Sequence, residues 1–221
     1  MEPIITDRKV FEQVYWKYYL MLEQSFLDVE RYLTIDKINY LAFSSEYIKQ
    51  YQTICSEIDV VAKSYCQELE NDFKGNDINK YCKCILDNNS DFTNRIIRVK
   101  GPELSLNPWK EWKYKINQLK NGTSSIVSDN PDWWQCYNKI KHNRTTTNRS
   151  TGIPYYKLAN QENVLNSLAA LFQLEMYYFR FLHHKYFSND PDMPSEPSST
   201  FVIENWGNIW TTTRGGLAFR G

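Results

Sequence analysis

No stretch of this 221-residue chain approaches the roughly 18 uninterrupted apolar residues that a membrane-spanning helix needs. Its first residues, Met1-Glu-Pro-Ile-Ile-Thr-Asp-Arg8, lack the charged-then-apolar layout of a secretory signal. These two features give the expectation of a cytoplasmic protein with no membrane partner. Excess charge is missing too. Lys and Arg total 26 and so do Asp and Glu, so there is no long-range pull toward nucleic acid, and any phosphate must be held by a local cluster. Cysteine is sparse and odd in number, at positions 55, 66, 82, 84 and 136, which indicates reduced thiols rather than a disulfide framework. Cys82-x-Cys84 has neither the usual zinc spacing nor a second such pair. Buried thiols are therefore the simpler reading, and no metal is expected. There is no Walker-type loop, no Gly-x-Gly-x-x-Gly and no Gly-x-Ser-x-Gly. That argues against nucleotide-dependent phosphoryl transfer and α/β-hydrolase chemistry, and no cofactor is expected.

Aromatic rings are abundant: 16 Tyr, 11 Phe and 7 Trp, enough to dominate a core and to serve a surface as well. The spacing of Phe11, Val14, Tyr18, Met21, Leu22, Val29 and Leu33 predicts a helix over about 8–33. Ser44 or Ser45 caps a second helix to about Asn71, with Tyr47, Tyr51, Ile54, Ile58, Val61, Tyr65 and Leu69 as its stripe. Ile78, Tyr81 and Ile85 support a short third helix, and Arg95–Val99 reads as a short strand or extended segment. Pro108-Trp-Lys-Glu-Trp112 reads as a helical turn and Asn121–Asn130 as a loop. Asp129 or Asn130 then caps a central helix with Pro131 in its first position. A last helix over about 160–187 is apolar nearly all round and belongs in the middle of a bundle. Pro191, Pro194 and Pro197 mark a linker-like stretch. The fold expected is an all-α antiparallel bundle over 1–187, followed over 188–221 by a linker and a short extended or β-hairpin appendage.

Residues 131–144, Pro-Asp-Trp-Trp-Gln-Cys-Tyr-Asn-Lys-Ile-Lys-His-Asn-Arg, carry the candidate chemistry. On a helix Trp134, Asn138 and His142 share one face, while Trp133, Tyr137 and Ile140 face a core. A histidine with a reference pKa of about 6.5 can take or give a proton near neutrality. Lys139, Lys141 and Arg144 can hold phosphate oxygens beside it. RNA cleavage needs both functions. The competing reading is an ordinary basic helix ending whose histidine caps carbonyls. Glu57, Asp59 and Glu175 are carboxylates on apolar helices; each needs a partner or a shifted pKa.

The run Trp133-Trp-x-x-Tyr137-Asn-Lys-Ile-Lys-His142-Asn-Arg144, followed by Ala159-Asn160-x-x-Asn163-Val-Leu-Asn-x-Leu-Ala-Ala-Leu-Phe172, resembles proteins of the HEPN superfamily. So do Ser44-Ser-Glu-Tyr-Ile and Cys55-Ser-Glu57 upstream. The resemblance implies an all-α homodimer of prokaryotic defence or toxin–antitoxin systems that cleaves RNA without a metal or binds it, with an antitoxin or defence protein as partner. Carried over by position, His142 is the acid/base, Asn138 its polar neighbour, and Arg144 or Lys139 the phosphate-binding cation. Lys141 and Trp134 on the same helix are further candidates for phosphate or RNA contact. Active members place an Arg four to six residues before the His. Here Arg144 follows it, and the resemblance then implies, as the alternative, a non-catalytic module that binds RNA or a partner protein.

Overall fold

The computed structural model describes residues 5–119 and 123–206. Its first helix is continuous in three parts: α1 (Arg8–Phe11), a π-helical turn at Glu12–Trp16, and α2 (Lys17–Glu30). Asp7 caps it by accepting from the Lys9 amide. Next come α3 (Ser45–Leu69) and α4 (Ile78–Asn88). The Ser44 hydroxyl accepts from the Tyr47 amide at 3.0 Å and so starts α3; the stripe read from the sequence is buried from Tyr47 to Tyr65, and Leu69 at its end is half-buried. Two later helices, α5 (Asp132–Asn143) and α6 (Gln161–Tyr186), complete the helical layer. The Asn160 side chain caps α6 by accepting from the Asn163 amide. α6 is the central post: α1, α2, α3 and α5 all pack on it. Its buried residues run through every face, as an all-round apolar helix requires.

The chain is not an all-α bundle. Strands β1 (Ile97–Val99), β2 (Leu104–Leu106) and β5 (Phe201–Ile203) form one antiparallel sheet in the order β2-β1-β5, and β3 (Lys113–Gln118) pairs with β4 (Ser124–Asp129) in a second. Two further expectations are corrected here. The stretch read as a loop over 121–130 contains β4, which lies against α4. Pro108–Trp112, read as a helical turn, is a turn closed by backbone bonds from Lys110 to Asn107 and from Trp112 to Trp109, with Trp109 and Trp112 driven into the core. The C-terminal strand is not a separate hairpin appendage: Val99 faces Phe201 and Ile97 faces Ile203, so β5 completes a sheet begun a hundred residues earlier. Phe201 packs on Phe172 of α6 with ring centroids 5.6 Å apart. The rest of the expected tail, 207–221, lies outside the described residues.

The Pro-rich stretch before β5 is strapped down by the first helix. Arg8 donates to the Met193 carbonyl at 2.6 Å, and Trp16 to the Glu196 carbonyl at 2.7 Å. Glu12 accepts from the Ser195 amide and hydroxyl at 2.7 and 3.0 Å. Buried Glu23 accepts from the Tyr19 hydroxyl (2.8 Å), the Ser199 amide (2.9 Å), the Thr200 amide (3.0 Å) and the Ser198 hydroxyl. Residues 8, 12, 16, 19 and 23 lie along one helical face, so one polar stripe holds the whole segment.

Candidate functional site

The helix α5 is a cantilever. Pro131 itself stands at its N-cap and offers no side-chain acceptor; Asp132 supplies the negative charge that suits a first turn. The expected caps are not used as such: the Asn130 side-chain oxygen accepts instead from Trp112 Nε1 (3.3 Å) and Ser128 Oγ (2.7 Å). The first two turns are fixed by rings. Trp133 Nε1 donates to the Pro108 carbonyl at 2.7 Å, and its ring meets Trp109 edge-on at 5.1 Å. Tyr51 of α3 donates to the Trp133 carbonyl. Burial pushes the Tyr51 and Tyr137 phenols above their ordinary pKa.

Trp134 belongs to this anchor. Only 6% of it is exposed, and its ring packs on Trp133 (5.8 Å) and Tyr137 (5.3 Å), so its face is not free to stack on a base. Asn138, half-buried, donates its amide back to the Trp134 carbonyl at 3.1 Å. Lys139 is half-buried and lines a groove of about 550 Å³ shared with Cys136, Asn160 and Asn163. Lys141 is exposed, with its ammonium 5.5 Å from the Tyr137 ring centre. His142 is exposed in the last turn. Arg144, at the C-cap, is exposed and donates to Gln52 Oε1 of α3 at 3.1 Å. The helix end thus gathers Lys141, His142 and Arg144 in solvent, while Trp134 and Asn138 are committed to the helix itself.

Two rings that sequence reasoning left aside stand beside this end. The polar loop 145–159 folds back on α5: the Tyr156 amide donates to the Arg144 carbonyl at 3.2 Å, and the Tyr155 amide to the Thr146 carbonyl at 2.9 Å. Gly152 takes φ +68° in the tight turn that reverses this loop, a conformation few other residues adopt cheaply. Tyr156 meets Phe43 edge-on at 5.8 Å, and Lys157 Nζ lies 5.1 Å from the centre of the Phe43 ring. Phe43 is 44% exposed and Tyr156 37%. The available signal was Ile153-Pro-Tyr-Tyr-Lys157, an apolar run in a loop otherwise polar. Phe43 stood only as the residue before a helix cap. It reaches the site through a bridge to Asn160 that joins chain segments far apart in sequence.

The other histidines are elsewhere. His183 is buried, stacks on Phe179, and has Nε2 at 3.0 Å from the Asp190 carbonyl oxygen. Cys55, Cys66, Cys82 and Cys84 are free and buried, and burial raises the Cys55 thiol well above its ordinary pKa. No helix among the described residues is long and apolar enough to cross a membrane.

The geometry defines a class only: a mixed α and β protein, built on one buried helix, that presents a basic helix end beside two exposed rings. A comparison with family models, curated proteins and solved structures finds no match for this chain.

Proposed function

We propose that the surface formed by the end of α5, the loop 145–158 and Phe43 binds single-stranded RNA. The observation that carries the reading is the pairing of exposed rings with basic side chains: Phe43 and Tyr156 beside half-buried Lys157, with exposed Lys141, His142 and Arg144 on the adjoining helix end. Unpaired bases stack on rings and their phosphates take cations, so such a surface is sequence-tolerant and sensitive to salt. The charge balance of the whole chain leaves this work to local groups.

The resemblance extends the proposal to a HEPN-like RNA-binding component of a prokaryotic defence or toxin–antitoxin system, cytoplasmic and homodimeric, with an antitoxin or defence protein as partner. It rests on the residues of α3, α5 and α6, because the two sheets depart from an all-helical bundle. Metal-independent cleavage is its stronger form, with His142 moving the proton and Arg144 or Lys139 holding the phosphate. A non-catalytic protein-docking role is the second reading. It is favoured by Ile38 and Leu41, 88% and 77% exposed in the segment that leads to Phe43.

Fluorescence anisotropy with a labelled single strand tests binding. The wild type binds, more weakly as salt rises, and the double variant R144E/K157E loses roughly tenfold or more in affinity. Equal affinity of the two proteins overturns the site. Incubation with RNA in EDTA, beside His142→Ala, separates cleavage from binding. Cleavage by the wild type alone supports the nuclease form; equal cleavage by both, or by neither, removes it.

A further inference from the structure

Glu175 lies deep in α6 with no exposed surface, and neither carboxyl oxygen has a hydrogen-bond partner. The charged group that acts on it is Glu57 of α3, of the same sign, half-buried and itself pushed upward by desolvation. From the first helix the groups that sense it are the phenols of Tyr15 and Tyr19, both raised in part by its presence. Tyr15 donates to Ser64 and Tyr19 to Glu23, so neither hydroxyl donates to Glu175. An ionised carboxylate in such surroundings, with no cation and no donor, is strongly disfavoured. Among the described residues no group of three His, Cys, Asp or Glu is placed to hold a metal ion. The remaining species that can neutralise the site is a proton.

We propose that Glu175 is a buried proton site, kept as a neutral carboxylic acid at neutral pH, and that losing this proton loosens the packing of α3 against α6. The inference is independent of RNA binding. Burial raises the folded-state pKa well above its ordinary value, whereas the unfolded chain titrates near about 4.3. Between those two values the folded protein holds one more proton than the unfolded chain. The stabilisation is complete below the unfolded pKa and declines as pH rises toward the folded one, by about tenfold in the folding constant per pH unit. Glu57, also raised, acts in the same direction. The sensitive seam has a structural reach, because α3 also carries Gln52, the partner of Arg144.

The test is urea unfolding of the full chain from pH 5.5 to 9, beside Glu175→Gln, which is neutral at every pH. The wild type should lose folding constant by about tenfold per pH unit relative to the variant across the neutral range. Parallel curves overturn the proposal. If Glu175→Gln does not fold, infrared spectroscopy of the wild type at pH 7 decides. The carbonyl stretch of a protonated carboxylic acid must be present and disappear at high pH; its absence at pH 7 overturns the proposal.

Discussion

The two ends of α5 use their side chains in opposite ways. Trp133, Trp134, Tyr137 and Ile140 are all buried, and the rings are interlocked with Trp109, Tyr51 and one another. One turn later Lys141, His142 and Arg144 stand in solvent, their side chains held by a ring contact and a bond to Gln52 and the Arg144 carbonyl by the Tyr156 amide. Stability is concentrated in the first half and binding chemistry in the second. Substitutions should therefore separate cleanly, costing folding at one end and ligand affinity at the other. A helix end held rigidly from behind also presents its cations at defined positions, which lowers the entropy lost on binding.

The largest effect is expected at the anchor. Trp133→Ala removes a buried ring and its bond to Pro108, and should cost about 3–5 kcal/mol in urea unfolding. A cost under about 1 kcal/mol would mean that α5 is not held this way. Next comes a control far from the helix. Glu23→Ala strips the acceptor from the Ser199 and Thr200 amides and two hydroxyls, and should cost roughly 3 kcal/mol. Hydrogen exchange should then rise at 199–203 before it rises at α5. Equal protection of the strap in variant and wild type would sink that account. At the exposed end, Arg144→Ala should change stability by no more than about 0.5 kcal/mol while weakening RNA binding severalfold. His142→Ala should be the mildest for folding, within about 0.5 kcal/mol, measured by the same denaturation. A large loss in either variant would erase the contrast between the two ends.

The same contrast explains what could be read from the sequence. Periodicity exposed α3 and α6 because their buried stripes are long and regular. It also placed α5, with Trp133, Tyr137 and Ile140 facing inward, but not Trp134, which is buried with its ring packed on Trp133 and Tyr137. The β3–β4 pair was missed because both strands are polar and largely exposed, so neither shows a clean apolar alternation. The dipeptide Asn121-Gly122 between them was the one hairpin signal available. The strap over 193–200 has the composition of a linker. What fixes it are Glu12 and Glu23, partners about 180 residues away that no local pattern reveals. Phe43 and Tyr156 went unread for the same reason, since their nearness depends on tertiary contacts.

Photo-crosslinking of a single-stranded RNA to the full chain, read by mass spectrometry, tests the central claim most directly. The account predicts nucleotide adducts on Tyr156, Phe43 or His142 and none on Trp134. Adducts confined to other surfaces, or none at a concentration where RNA is bound, would contradict it.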